Sequence, residues 1–375
     1  MNSIGLNRPK NGFLVINKPP GPTSHDIIDE LRKITGIRQI GHAGTLDPFA
    51  SGLLLVGIGE ATKLLRHYVG LDKKYEATLK LGATSDTYDR TGKISNNQFP
   101  ISSKIPISKI QKVLTSFIGK QKQVPPMYSA KKIGGKKLYE LARAGQNIKR
   151  EANKIEIYDI QLKSHQFPNS PIPDTITINC HVSSGTYIRT LAHDIGQKLE
   201  TGTYLEELKR TAIGEFKIED AVSLDTLTQS NWQKHLLPLK TVLVSGTFDG
   251  LHAGHRNYFQ QARQFGQRLI CVVARDKIAA KIKGKPPHYS EKERIQFVKQ
   301  CEAIDRVYLG IEGTDQQIYD FTASLRPDVI ALGYDQTAYT ANLQKEIKNR
   351  GLGTAVIRLE PFYPNKYKSS KLSVT

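Results

Sequence analysis

Three cysteines, at positions 180, 271 and 301, are too few and too far apart in this chain for a disulfide framework. No Cys-x-x-Cys pair offers a zinc site, and Cys180 and Cys271 lie in apolar runs where they read as small core residues. Long hydrophobic runs are also missing. None approaches the length of a membrane span, and the polar stretch Met1 to Gly12 lacks the apolar centre of a signal peptide. The expectation is a soluble, cytoplasmic protein without a membrane partner. Acid is in short supply: 35 Asp and Glu stand against 54 Lys and Arg, for a net charge of +19 over 375 residues. Both halves of the chain are basic. Such a balance favours polyanionic partners, either nucleic acid or phosphorylated small molecules, although a merely basic soluble surface would look the same. The length suggests two domains, possibly three.

What is present is organised around Gly41-His42-Ala43-Gly44-Thr45-Leu46-Asp47-Pro48-Phe49-Ala50-Ser51-Gly52. One carboxylate sits among glycines and small residues, just before the apolar run Leu53-Leu54-Leu55-Val56. Glycine lets backbone approach a ligand closely, and Pro48 fixes the dihedral directly after the acid. The loop is either a tight turn whose aspartate bonds nearby amides or a mount that holds one acid at a strand edge. It closely resembles the signature of the tRNA pseudouridine synthase B (TruB) family, which continues through an apolar strand to Gly-x-Ala-Thr-Lys, here Gly59-Glu60-Ala61-Thr62-Lys63. The resemblance makes Asp47 the catalytic aspartate.

In chain order, Phe13 to Ile16 reads as a short buried strand, ended by Asn17-Lys18-Pro19-Pro20-Gly21. Thr23 or Ser24 then caps a helix with apolar positions Ile27, Ile28, Leu31 and Ile34, closed by Gly36. Tyr75-Glu76-Ala77-Thr78-Leu79-Lys80-Leu81 alternates with period two, so Tyr75, Ala77, Leu79 and Leu81 share one strand face. On its own Tyr75 is core or site. The family pattern Lys-x-Tyr-x-Ala, then Leu-Gly-x-x-Thr/Ser-Asp-Thr, is met at Lys73 to Ala77 and Leu81 to Thr87, and it makes Tyr75 the active-site tyrosine.

Residues Ser108 to Ile118 form an amphipathic helix. A basic loop follows in which Lys131, Lys132, Lys136 and Lys137 interleave with Gly134 and Gly135. It is a solvated linker or an RNA contact on composition, and the resemblance favours RNA. Thr175 to Val182 is a strand. After Gly185-Thr186-Tyr187, apolar residues Ile188, Leu191, Ala192, Ile195 and Leu199 recur at helical spacing and leave Arg189 off the apolar face. An arginine in a first helical turn opposes the helix dipole, a cost best tolerated opposite a buried carboxylate. The family's Gly-Thr-Tyr-Ile-Arg is matched here, and by that likeness Arg189 pairs with Asp47. Lys18 and His42 fall in matched RNA-binding segments, and Leu208 falls where the family packs a leucine against the target base.

This resemblance runs from Gly12 to Leu227. Residues 228–239, with the only tryptophan, read as a linker. From 240 to 375 apolar strands alternate with amphipathic helices: Val242 to Val244, Leu269 to Val273, Val307 to Leu309, Val329 to Leu332 and Ala355 to Ile357. Ser290-Glu291-Lys292-Glu293 is a capping box. The alternation means a parallel doubly wound sheet, with ligands beyond the carboxyl ends of strands. At the first strand end stands Gly246-Thr247-Phe248-Asp249-Gly250-Leu251-His252-Ala253-Gly254-His255. Two histidines three apart lack the further ligands a zinc site needs. The His-x-Gly-His pattern resembles the cytidylyltransferase-like nucleotidyltransferases, of the FAD synthase or glycerol-phosphate cytidylyltransferase type. That resemblance gives a nucleotide-binding role to Gly246, Thr247, Phe248, His252, His255, Gly333, Asp335, Ser369 and Ser370.

The expectation is therefore a fusion. Residues 12–227 would be an α+β mixed-sheet pseudouridine synthase domain, followed from 240 by an α/β Rossmann-like nucleotidyltransferase domain. By resemblance the first isomerises uridine 55 in the T-arm loop of tRNA, with Asp47, Tyr75 and Arg189 catalytic and no cofactor or metal. The second would transfer a nucleotidyl group from CTP or ATP, with Mg²⁺, to a phosphorylated acceptor such as FMN or glycerol phosphate. The rival for the second half is a non-catalytic basic module that helps bind tRNA.

Overall fold

The computed structural model describes residues 11–95, 105–128, 132–133, 136–137, 148, 150–163 and 174–363. It divides into two compact units, Met1–Leu237 and Pro238–Thr375. Ser369, Ser370 and Lys131 lie outside the described residues, as do the side chains of Lys132 and Lys136. The backbones at Lys132–Ile133 and Lys136–Lys137 pair as a two-stranded hairpin.

The first unit is a mixed sheet flanked by helices. Its main path runs Val222–Ser223, Gly12–Lys18, Ser51–Ile58, Thr203–Ile213, Lys73–Leu81, Thr175–Val182, Asn153–Leu162 and Gly119–Gln123. Neighbours are antiparallel except at two places, where Gly12–Lys18 meets Val222–Ser223 and where Ser51–Ile58 meets Thr203–Ile213. Along Lys73–Leu81 the expected alternation holds, with Tyr75, Ala77, Leu79 and Leu81 all buried. They share a core with Ile110 and Leu114 of the helix Ile107–Thr115, and with Leu191, Ile195 and Leu199 of the helix Ile188–Leu199.

A second core joins Leu14, Ile16, Leu54 and Val56 to Ile27, Ile28 and Leu31 of the helix Ser24–Thr35. Leu227, Trp232 and Leu236 complete it, which corrects the reading of 228–239 as a linker. Trp232 is only 3 % exposed, and the Leu237 carbonyl occupies the space a side chain at residue 12 would need. Truncating a buried tryptophan typically costs about 3–5 kcal/mol, so this segment is part of the fold. Composition misled here, because a polar stretch with one large aromatic can still dock by that aromatic.

The second unit contains, among the described residues, a five-stranded parallel sheet in the order Arg306–Leu309, Arg268–Val273, Thr241–Gly246, Val329–Leu332, Ala355–Arg358. Alternate strand residues face opposite ways, as the pleat requires. Val242, Val244, Cys271 and Ala331 pack against Phe259 and Val298, while Leu243, Ile270 and Ile330 pack against Tyr319 and Ile347. Helices therefore cover both faces. The first strand lies in the middle, and the direction of winding reverses between it and Val329–Leu332.

Candidate functional site

The Asp47 loop is fixed from several sides. Thr23 forms the capping box of the helix Ser24–Thr35, accepting from the Asp26 amide at 3.1 Å while Asp26 accepts from the Thr23 amide at 2.8 Å. That frees the Ser24 hydroxyl, which accepts from the Leu46 amide at 2.9 Å and donates to the Leu46 carbonyl at 3.1 Å. The Pro48 carbonyl accepts from the Gly21 amide at 2.8 Å and from Lys18 Nζ at 3.2 Å. Gly21 and Ser24 thus hold the Asp47 loop at Pro48 and Leu46, the residues flanking the acid.

Arg189 meets Asp47 in a fork: Nη2 donates to Oδ1 at 3.2 Å, and Nε stands 3.0 Å from Oδ2 as an ion pair. It also donates to Asp89 Oδ2 at 3.1 Å and to the Tyr128 carbonyl at 2.7 Å. Arg189 is off the apolar helix face, as its spacing implies, yet it is 6 % exposed because these oxygens enclose it. The Asp47 side chain keeps 36 % of its surface open, so an incoming molecule can reach it. Burial pushes the Asp47 carboxyl above its ordinary value. Arg189 pulls it back, Asp89 adds to the rise, and Lys18 and Arg210 oppose it. The net shift is upward, so desolvation outweighs the pull of Arg189.

Tyr75 stands in a row across four strands. Gly52 pairs with Arg210, Arg210 with Tyr75, and Tyr75 with Cys180. Burial raises the Tyr75 phenol above its usual pKa, against the pull of Arg210, whose side chain it bonds. Arg210 is itself 1 % exposed and donates to the carbonyls of Leu53 at 2.8 Å and Gly44 at 3.0 Å. It is a buried cation that ties the Asp47 loop to the tyrosine strand. Leu208, two residues earlier, lies in the core beside Ala77.

Lys18 is fully enclosed and bonds the carbonyls of Pro19 and Pro48. Burial lowers its pKa to about 8, with Asp47 opposing. His42 ends the strand Ile40–His42; burial and then Arg210 lower its pKa, and its Nδ1 has no partner among the described residues. Sequence reasoning missed Asp89 and Arg210. Asp89 follows the Asp86-Thr87 pair by two residues, and Arg210 follows Leu208 by two. A charged residue on a strand face gives no pattern that distinguishes burial from exposure.

In the second unit, Gly246 ends a central strand and His252 caps the helix Ala253–Arg263. The rings of His252 and His255 stack with centroids 3.8 Å apart. Burial, with His252 and Lys283 nearby, lowers His255 to about 3, so it is neutral at ordinary pH. Its Nδ1 has no partner among the described residues. Phe248 has a left-handed φ of +52° and its ring turns into the core against Phe259, leaving its backbone facing the turn. Arg294, not foreseen, is wholly buried and donates to the carbonyls of Thr247 at 2.5 Å, Ala274 at 2.9 Å and Tyr289 at 3.1 Å. Asp249 accepts from the amides of His288 and Tyr289, both at 2.9 Å. At the neighbouring strand end Gln336 donates to Ser245 at 3.1 Å, and Arg358 Nη1 donates to the Gly333 carbonyl at 2.7 Å. Asp335, in the same loop, is exposed. Among the described residues no three acidic, histidine or cysteine side chains converge as a metal site.

Residues 32–188 match the family described as TruB family pseudouridylate synthase (N terminal domain), and 189–244 match the tRNA pseudouridylate synthase B C-terminal domain. The second match runs through the segment read as a linker. Residues 243–375 match a cytidylyltransferase-like family. Among curated proteins, tRNA pseudouridine synthase B of Syntrophomonas wolfei is 45 % identical over 232 residues, 61 % of this chain and 76 % of that protein. The protein of the same name from Clostridium novyi is 43 % identical over 230 residues, with coverage of 61 % and 76 %. Among solved structures, a Cbf5-Nop10-Gar1 complex aligns at 24 % identity over 70 % of this chain and 75 % of that one, with a TM-score of 0.48.

Proposed function

Since the chain belongs to the tRNA pseudouridine synthase B family, we propose that its first unit isomerises uridine 55 in the T-arm loop of tRNA to pseudouridine. The observation that carries this reading is the Asp47–Arg189 fork, a reachable carboxylate on a fixed loop beside a buried tyrosine. A base inside a stacked helix is out of reach of such a carboxylate, so the nucleotide must leave its stack to meet Asp47. Isomerisation breaks the N1–C1′ bond, turns the uracil and joins C5 to C1′. Glycoside becomes C-glycoside with no net loss of atoms, so no cofactor enters.

Asp47 acts in its ionised form, either attacking C1′ or removing a ribose proton. Arg189 aims it by engaging both oxygens. Tyr75 supplies an aromatic surface for the base. Its hydroxyl, pushed up by burial, is neutral at working pH. His42 lies on the segment leading into the Asp47 loop and meets the RNA there. Lys18, expected as an RNA contact, is wholly enclosed and instead braces the Asp47 loop through the Pro48 carbonyl. Lys131, Lys132 and Lys136 supply phosphate contacts. Release of tritium from C5-labelled uridine in tRNA tests the reaction, and its absence with intact wild-type protein would overturn it.

The second unit we read as a nucleotidyltransferase, because His252 and His255 stand at a helix start beyond the end of a central parallel strand, where such folds bind ligands. The unpartnered Nδ1 of His255 fits a phosphate-bearing ligand. The amides around Gly246, Thr247 and Phe248 would face the phosphates, and the Gly333–Asp335 loop the base. Mg²⁺, held by the triphosphate oxygens, would neutralise charge there. Pyrophosphate release with CTP or ATP and a phosphorylated acceptor, FMN and glycerol phosphate among them, tests it. If no pair reacts, the unit is a basic module that helps hold tRNA.

A further inference from the structure

Two consecutive residues of one loop grip two residues one turn apart on the helix Ile188–Leu199. Asp89 takes Arg189 at 3.1 Å, and the ring of Tyr88 stacks on His193 with centroids 4.1 Å apart and planes 17° from parallel. Residues i and i+4 share a helix face, so the two contacts lie one above the other. The loop adopts a strained conformation to make both. Tyr88 has φ +63°, in the left-handed region that a bulky side chain rarely enters. Its amide donates to the Ser85 carbonyl at 3.1 Å, its carbonyl accepts from the Leu205 amide at 2.9 Å, and the Arg90 amide donates to the Leu205 carbonyl at 3.0 Å. Asp89 Oδ1 is occupied by the Thr87 hydroxyl at 2.8 Å and the Thr91 amide at 2.9 Å, which leaves Oδ2 for Arg189.

His193 has no visible polar task. Its Nδ1 is buried without a partner among the described residues, and burial lowers its pKa, so the ring is a neutral flat surface. What it offers Tyr88 is a face.

We propose that Tyr88 and His193 form a positioning clamp: the stack holds the 84–92 loop against the helix so that Asp89 fixes Arg189 at the reach needed to aim Asp47. Neither residue touches the reacting atoms. Their effect passes through Asp89 and Arg189, and it rests on the synthase reading given above. An aromatic pair of this kind contributes little to global stability, whereas a small misplacement at a reacting centre lowers turnover strongly.

The test compares Tyr88→Leu, Tyr88→Gly, His193→Leu and Tyr88→Phe in full-length protein by tritium release, tRNA affinity and thermal unfolding. Wild-type release is measured first; its absence would overturn the synthase reading and this one together. With an active wild type, Tyr88→Leu and His193→Leu should each lower kcat about tenfold or more, with tRNA affinity within about twofold and a folded protein. The double variant should be little worse than either single one, because one contact is lost in each. Tyr88→Phe keeps the stack and should restore most of kcat. Tyr88→Gly suits the left-handed backbone but lacks the ring, and should be as impaired as Tyr88→Leu. Full activity in Tyr88→Gly would show that only the backbone matters and would overturn the clamp. So would additive losses, a defect confined to tRNA affinity, or an equal loss in Tyr88→Phe.

Discussion

Arg189 and Asp89 lie 100 residues apart in sequence and meet at 3.1 Å through Nη1, the one guanidinium nitrogen that Asp47 does not use. The two carboxylates therefore share one buried cation without competing for the same nitrogen. Asp89 is 2 % exposed and Asp47 is not, so the inner acid anchors the arginine and the outer one is presented. Arg189→Met would leave Asp89 buried without a counter-charge, a loss of about 3–5 kcal/mol of stability measured by urea unfolding. Asp47→Asn keeps the shape and removes the charge, so it should bind tRNA and release no tritium. Release near the wild-type rate would remove Asp47 from the catalytic role.

Acid should silence the synthase sooner than an ordinary aspartate predicts. The working form is the carboxylate, and burial raises its pKa above the usual value of about 3.9. The acid limb of kcat against pH should therefore lie above that value. Lys18 pulls the Asp47 pKa down, so Lys18→Met should move the limb to still higher pH. A limb unchanged in that variant would separate Lys18 from Asp47.

Lys73 should make the fold more stable as the solution becomes alkaline. Its Nζ is enclosed by the carbonyls of Val69 at 2.7 Å and Leu71 at 2.5 Å, and burial lowers its pKa to about 8. The unfolded chain holds that proton to about 10.4. Between these values the unfolded state binds more protons, so the contribution of Lys73 to stability rises with pH. The difference in unfolding free energy between wild type and Lys73→Met, read at pH 8 and pH 10, should shift in favour of wild type. A flat difference would contradict the assignment.

Gly52 cannot carry a side chain. Its φ is +102°, and a Cβ there would overlap the Arg210 carbonyl oxygen and stand 2.7 Å from the Arg210 amide. Both obstacles are backbone in the paired strand, so neither moves cheaply. Gly52→Ala should cost on the order of 2–4 kcal/mol, and lower activity by disturbing the row that runs through Arg210 to Tyr75. Thermal unfolding and tritium release measure the two effects.

On the nucleotidyltransferase reading, His255 works uncharged. Because burial lowers it to about 3, nucleotidyl transfer should show no acid limb from this residue between pH 5 and 8. His255→Ala should lower pyrophosphate release about a hundredfold or more, as for the loss of one donor to developing charge, and leave uridine isomerisation intact. Equal loss of both activities would point to unfolding instead.

Local patterns carried much of the architecture. The period-two face of Tyr75, Ala77, Leu79 and Leu81, the helical spacing after Tyr187, and the capping box at Ser290 each depend on neighbours within a few residues. The glycine-rich setting of Asp47 is local in the same sense. Tertiary structure alone decided which charges are buried. Asp89, Arg210 and Arg294 are polar residues in polar surroundings of sequence, and only strands and loops brought from far along the chain enclose them. The direction of the Asp47 shift was settled the same way, since desolvation depends on everything packed around the carboxylate, whereas sequence shows only a possible partner. Trp232 makes the point for packing: its neighbours in sequence are polar, and the core that receives it comes from residues some 200 positions away.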